Sequence, residues 1–360
     1  MKITLVAGAR PNFMKIAPII HAIEKNNAIH YRLVHTGQHY DTNLSGTFFK
    51  ELNIPQPHSN LNVKSGSQAQ QTAAIMIGFE KELNQNPTDL VLVVGDVTST
   101  MACAIVAKKA HCKVAHVEAG IRSGDLHMPE EINRMVTDSI TDYFFTTSET
   151  ATTHLLKSGV PKNQLFFVGN VMIDTLYKNL PNLKKPEFWD QLQLKQKEYF
   201  VLTLHRPSNV DTLQSFSSLL KKIVSKSKGL PIIFPVHPRT QKLLSTANLT
   251  FENLHFVSPQ GYLSFIYLIK HSKAVLTDSG GITEEASVLN IPCITFRDST
   301  ERPETCSLGT NKLVGKNFND IDLAFDKLYE NRWAEYQNIP KWDGKAAERI
   351  VEIIANLYGC

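Results

Sequence analysis

No Cys-x-x-Cys pair occurs in this chain of 360 residues, and its cysteines, Cys103, Cys112, Cys293, Cys306 and Cys360, are scattered and odd in number. That pattern argues against a zinc cluster and a disulfide framework and reads as the reduced thiols of a cytoplasmic protein. No apolar run approaches the ~18 residues a membrane span needs, so no membrane association is expected. The opening MKITLVAGARPNF is broken by Gly8, Arg10 and Pro11, and its apolar run is too short for a secretion signal. Charge of one sign is also scarce. Lys and Arg number 38 against 34 Asp and Glu, a net +4 with no basic cluster interleaved with aromatics, which removes nucleic acid as a partner. There is no His-Glu-x-x-His, no Asp-rich calcium loop and no Gly-x-Gly-x-x-Gly. Where that last fingerprint would stand, the chain reads Gly8-Ala9-Arg10-Pro11. Neither a metal nor a dinucleotide cofactor is expected.

What is present is an ordinary globular composition, 42% apolar and 20% charged, in a length that suits two domains. KITLVAG, YRLVHTG, LVLVVGD, KVAHVEAG, YFFTTS and LFFVGN read as strands in the first half, and FVLTLHR, PIIFPVH, LHFVSP, AVLTDSGG and PCITFRD in the second. They are almost continuously apolar, as strands buried on both faces must be. Helical spacing fills the intervals, so the fold class is α/β, two doubly wound Rossmann-like domains built on parallel sheets. The polar, proline-bearing stretch 178–198 reads as a linker between a first domain at 1–177 and a second at 199–343. The closing segment 344–360 reads as an amphipathic helix that crosses back to the first domain.

Polar residues crowd the carboxyl ends of these strands, where open α/β sheets bind ligands. Arg10 follows the first strand and Gln38-His39 the second; Asp96 follows LVLVVG; His116 and Glu118 end KVAHVE; His205 ends VLTLH and His237 ends PIIFPVH. Ser279-Gly280-Gly281 follows AVLTD and opens a helix, where free N–H groups and the helix dipole favour an anion. Glu285, one turn in, is placed to hold two vicinal hydroxyls, whereas Glu284 reads as a first-turn carboxylate stabilised by the dipole. Lys15 lies about one turn from Arg10, so both cations can face an anion. Asp96, Glu118, Glu130 and Glu131 form an acidic set able to supply a general acid and a general base. His116 and Glu118, two apart on a strand, are expected on one side of it.

These residues carry a resemblance. Gly8-x-Arg10-Pro11 with Lys15, Thr36-Gly37-Gln38-His39, Gly95-Asp96, His116-Val117-Glu118-Ala119-Gly120 and Pro129-Glu130-Glu131-x-Asn133-Arg134 stand in the order seen in non-hydrolysing UDP-N-acetylglucosamine 2-epimerases. Leu204-His205-Arg206, Pro235-Val236-His237, Asp278-Ser279-Gly280-Gly281-Ile282 and Thr300-Glu301-Arg302-Pro303-Glu304 continue the match to about residue 315. The resemblance implies a glycosyltransferase-B-like fold with the active site in the interdomain cleft and no redox cofactor. It implies that Asp96, Glu118 and Glu130 are the acid–base group and that His205 stands near the departing phosphate. Ser279, Gly280 and Gly281 would cradle phosphate, Glu285 the ribose, and Gln260 and Phe265 would flank the uracil. Arg10 would reach phosphate from the first domain, and Arg302 and His237 would line the ligand site. The implied partner is a UDP-sugar, and a homodimer is the default for such an enzyme.

Two departures stand out. Pro207 follows His-Arg where many bacterial members carry a second arginine, and Tyr40-Asp41 replaces a basic segment. Both bear on the family's allosteric nucleotide-sugar site, and the same variant pattern occurs in relatives acting on UDP-diacetamido-uronic acids. A UDP-sugar glycosyltransferase, a hydrolysing relative and a non-catalytic sensor are the competing readings. Incubation with UDP-sugar alone separates them, because only an epimerase acts without acceptor and without accumulating UDP.

Overall fold

The computed structural model describes residues 1–37, 49–210, 212–236, 251–315 and 317–360, with Arg10, Pro207 and Ser208 in backbone only. Gln38, His39, Tyr40, Asp41 and His237 lie outside the described residues. The chain divides into two compact units, residues 1–179 with 340–360, and residues 180–339.

The first unit is built on strands β1 (Lys2–Ala7), β2 (His30–His35), β3 (Ser59–Asn60), β4 (Leu90–Val94), β5 (Lys113–Val117), β6 (Tyr143–Thr146) and β7 (Leu165–Phe167). They pair in the order β3-β2-β1-β4-β5-β6-β7, every pairing parallel. Every residue of β4 is buried, which is why its sequence, LVLVV, shows no alternation. Strand order reverses between β1 and β4, the switch point where an α/β sheet opens a crevice at its carboxyl edge.

The second unit uses β8 (Phe200–Thr203), β9 (Ile232–Pro235), β10 (Leu254–Val257), β11 (Ala274–Thr277), β12 (Cys293–Thr295) and β13 (Asn311–Leu313). Their order is β10-β9-β8-β11-β12-β13, again parallel throughout, with the switch point between β8 and β11. Phe200, Phe216, Phe234 and Phe325 anchor its core.

The stretch 178–198, read from sequence as a linker, is folded onto the second unit from residue 180 onward. Trp189 leads this: it is buried, meets the Tyr199 and Tyr267 rings edge-on at 5.4 and 5.3 Å, and shares its cluster with Phe188, Leu192 and Leu194. A polar overall composition hides these few apolar anchors. The chain rejoins the first unit at Pro340, four residues before the expected boundary, because Trp342 is buried there and donates from Nε1 to the Thr147 carbonyl at 3.0 Å.

The final helix, Ala346–Tyr358, buries Ala346, Ala347, Ile350, Val351, Ile354 and Ala355, an i, i+4 stripe packed on the helices Arg10–Ile23 and Val171–Asn179. Asp174 caps it, accepting from Ala346 N at 3.1 Å and Ala347 N at 2.7 Å. Burial pushes the Asp174 carboxyl up to about 6, against the pull of those two N–H groups. Its folded value therefore lies above the unfolded one, so the folded state holds the extra proton between about pH 4 and 6. Stability linked to this group is full below that window and is lost as pH rises through it. Relative to wild type, Asp174→Asn should gain up to about 3 kcal/mol between pH 4 and pH 7. Urea unfolding across that range checks this; a gap that moves the other way would mean the helix N–H groups outweigh burial.

Candidate active site

In the first unit the β1–helix turn is held by Asn12. Its Oδ1 accepts from Gly8 N at 3.2 Å and Ala9 N at 2.9 Å, and its Nδ2 donates to the Val94 carbonyl at 3.0 Å. One buried amide thus joins the two strand ends of the switch point. Glycine is required at Gly8, because a Cβ there would fall 2.1 Å from Ser99 Oγ. Arg10 begins the helix at this edge, behind Ala9. Lys15, one turn later, donates from Nζ to Glu118 Oε2 at 2.7 Å. The same ammonium presses on the β4 end: Gly95 has φ +67°, and a Cβ there would stand 2.8 Å from Lys15 Nζ.

Glu118 has φ +71°, in the left-handed region that costs a non-glycine residue roughly 1–2 kcal/mol. The sheet stabilises this, with Glu118 N and Ala119 N both donating to the Phe145 carbonyl at 3.0 and 3.2 Å. Such strain concentrates where a side chain is aimed for function. It also overturns the expectation that His116 and Glu118 share one side of a strand. β5 ends at Val117, Glu118 turns to Lys15, and His116 is buried against Asp138 and the Gly95 carbonyl.

Asp96 follows β4 and Glu118 follows its neighbour β5, so the fold sets these two carboxylates on adjacent strand ends. The helix Pro129–Ile140 ties in the third. Arg134 donates from Nε and Nη2 to Asp96 Oδ2 at 3.1 and 2.6 Å and from Nη1 to Glu131 Oε2 at 2.6 Å, while Asn133 Nδ2 reaches the Asp96 carbonyl at 2.9 Å. Glu130 stands half-buried on the first turn of that helix. Glu131 is structural, gripping Ser123 N, Ser123 Oγ and Gly124 N. Burial opposes its charge, but those donors and Arg134 outweigh burial and hold it below the usual carboxylate range. Cations thus stand beside Asp96 and Glu118.

In the second unit Asp278 ends β11 at the switch point, wholly buried. Its carboxylate accepts from His205 Nδ1 at 2.8 Å, Arg206 N at 2.9 Å and Asn209 Nδ2 at 3.1 Å. Burial opposes its charge, and the His205 contact leads the donors that still hold it below the usual range. His205, half-exposed, has its ring tied at Nδ1, which leaves Nε2 as the edge available to a ligand. The helix Gly280–Val288 opens beside it with no side-chain cap. Ser279 N is already engaged by Thr277 Oγ1 at 2.9 Å, so Gly280 and Gly281 are the better phosphate donors of the expected trio. Glu285 is buried and accepts from the Tyr262 hydroxyl at 3.0 Å, a partner with no sequence signal. Arg302, expected to line the ligand site, is buried with its Nε on Glu284. That pairing also gives Glu284 a role beyond the helix dipole. Gln260 is half-buried with its amide on the Ser258 carbonyl at 2.7 Å, and Phe265 packs partly into the Trp189–Tyr199 cluster.

Two parallel sheets with interleaved helices, each carrying a polar constellation at its switch point, define a two-domain α/β protein of the glycosyltransferase-B-like class. The family model for UDP-N-acetylglucosamine 2-epimerase matches residues 21–355. A UDP-N-acetylglucosamine 2-epimerase of Methanocaldococcus jannaschii is 42% identical, with 100% of each chain covered. A UDP-2,3-diacetamido-2,3-dideoxy-D-glucuronate 2-epimerase of Pseudomonas aeruginosa is 35% identical over 99% of this chain and 100% of its own. The crystal structure of the M. jannaschii UDP-GlcNAc 2-epimerase in complex with UDP-GlcNAc and UDP superposes with a TM-score of 0.89 at 41% identity, covering 99% of this chain and 100% of that one. The chain belongs to the UDP-N-acetylglucosamine 2-epimerase family.

Proposed function

We propose that the protein interconverts UDP-N-acetylglucosamine and UDP-N-acetylmannosamine by anti elimination and re-addition of UDP. The C1–O bond to UDP breaks as a carboxylate takes the C2 proton, leaving a 2-acetamidoglucal; UDP returns to C1 while C2 accepts a proton on the opposite face. Asp96, Glu118 and Glu130 do the proton chemistry. The observation that carries this reading is the pair of carboxylates on adjacent strand ends, each with a cation beside it, one on a strained backbone. A module that only bound an anionic nucleotide sugar would gain nothing from carboxylates there. Gly280 and Gly281 N–H groups hold phosphate, Glu285 holds the ribose, Gln260 and Phe265 flank the uracil, and His205 Nε2 meets the departing phosphate. We read the enzyme as a cytoplasmic homodimer that feeds polysaccharide or glycoconjugate synthesis.

Proton NMR with UDP-GlcNAc alone in deuterium oxide tests this reading. The manno product should appear without an acceptor and carry deuterium at C2; full C2 protium would rule out elimination. The P. aeruginosa relative supports a second substrate, a UDP-diacetamido-uronic acid, to be run in parallel. Tyr262→Phe tests the ribose assignment. Losing a hydrogen bond to a charged acceptor costs ~1.5–3 kcal/mol, so UDP affinity should fall roughly 10- to 100-fold with kcat little changed. Unaltered UDP affinity in a calorimetric titration would mean that Glu285 does not need Tyr262 to hold the nucleotide.

A further inference from the structure

His116 has no place in the chemistry above, yet its side chain has no exposed surface. Nδ1 stands 2.7 Å from Asp138 Oδ1 and Nε2 stands 2.8 Å from the Gly95 carbonyl oxygen. A carbonyl oxygen only accepts, and so does an ionised carboxylate. Burial opposes the charge on Asp138, but His116 and Arg122 hold its carboxyl below the usual range. The ring is thus tied at both nitrogens, to a carboxylate on one side and a backbone carbonyl on the other.

The three groups joined here are the three that carry the acid–base residues. Gly95 precedes Asp96. Asp138 lies on the helix that carries Glu130, and its Oδ2 also takes Gly120 N at 3.1 Å and Arg122 Nη1 at 2.7 Å, fixing the turn that follows Glu118. Charged groups on the packed elements include Arg134, Glu130 and Glu131 on that helix, Lys113 on the strand of His116, Lys108 and Lys109 on the helix Thr98–Lys109, Lys15 from the first helix, Glu118 beyond its own strand and Asp96 beyond β4.

We propose that His116 is a positioning residue bridging Asp138 and the Gly95 carbonyl, and that this bridge sets the mutual placement of Asp96, Glu118 and Glu130. The inference rests on the epimerase reading. Its consequence is that the bridge serves turnover and not nucleotide binding, because no group it holds belongs to the second unit.

Two substitutions separate the two bonds. H116N keeps a donor at the position of Nδ1, towards Asp138, and loses the reach to Gly95; H116Q keeps the reach to Gly95 and loses the Asp138 donor. Displacement of a catalytic group by about 1 Å costs up to 10²-fold, so kcat and the rate of C2 deuterium exchange should fall roughly 10- to 100-fold in H116N and less in H116Q. KM for the UDP-sugar and Kd for UDP should stay within about twofold of wild type, a split that general loss of structure would not produce. Wild-type kcat in both variants, or a KM that rises as far as kcat falls, would overturn the proposal. A wild-type enzyme that epimerises no UDP-sugar counts against the epimerase reading instead, and the positions of Asp96 and Glu118 in a crystal structure of H116N still decide the bridge.

Discussion

Glu118→Gln lowers kcat by at least about 10²-fold, the usual loss when a general acid or base is removed, while UDP still binds. Gln keeps the length of the side chain and an oxygen that can accept from Lys15, so the contact that anchors the first helix to the end of β5 survives the substitution. What disappears is the proton-transfer capacity and the negative charge opposite the ammonium. The left-handed backbone at residue 118 is the same for both side chains, so the variant tests chemistry and not folding. Steady-state epimerisation and UDP calorimetry on the same sample give the two numbers. Near-native turnover would make Glu118 a structural partner of Lys15 and transfer the proton chemistry to Asp96 and Glu130.

Arg134→Met removes a buried guanidinium that serves two carboxylates, and the unfolding free energy should fall by about 3–5 kcal/mol, as when one partner of a buried ion pair is deleted. Asp96 and Glu131 lose their shared guanidinium together. For a unit of this size each kcal/mol shifts Tm by about 2–4 °C, so the midpoint should drop roughly 6–20 °C. Arg134→Lys should recover only part of this, because a single ammonium cannot present the planar fork that spans both acids. Thermal and urea unfolding measure the effect; a loss below about 1 kcal/mol would mean that water replaces the guanidinium at little cost.

The strand ends were legible because buried parallel strands leave almost no polar residue inside them. The first charged residue after each apolar run, Asp96 after LVLVV or Asp278 after AVLT, therefore marks the carboxyl edge of the sheet. Pairings were not legible in the same way. Lys15 and Glu118 are 103 residues apart and meet only because β1, β4 and β5 lie side by side in an order the chain does not follow. Arg134 reaches Asp96 across 38 residues for the same reason. Nothing in the sequence marks Asn12, whose amide joins the two strands of the switch point.

By itself the sequence determined the fold class, the edge of each sheet where the chemistry sits, and, through its ordered motifs, the family. All three follow from local patterns: hydrophobic periodicity, turn residues and the order of short motifs. Tertiary structure decided which charges pair, that Glu118 leaves the strand in a left-handed conformation held by the Phe145 carbonyl, and that His116 is enclosed by acceptors. Those depend on strand order and on distances between residues far apart in the chain. A spacing rule sees neighbours within a turn or a pleat, and the contacts that aim these carboxylates are made across the sheet.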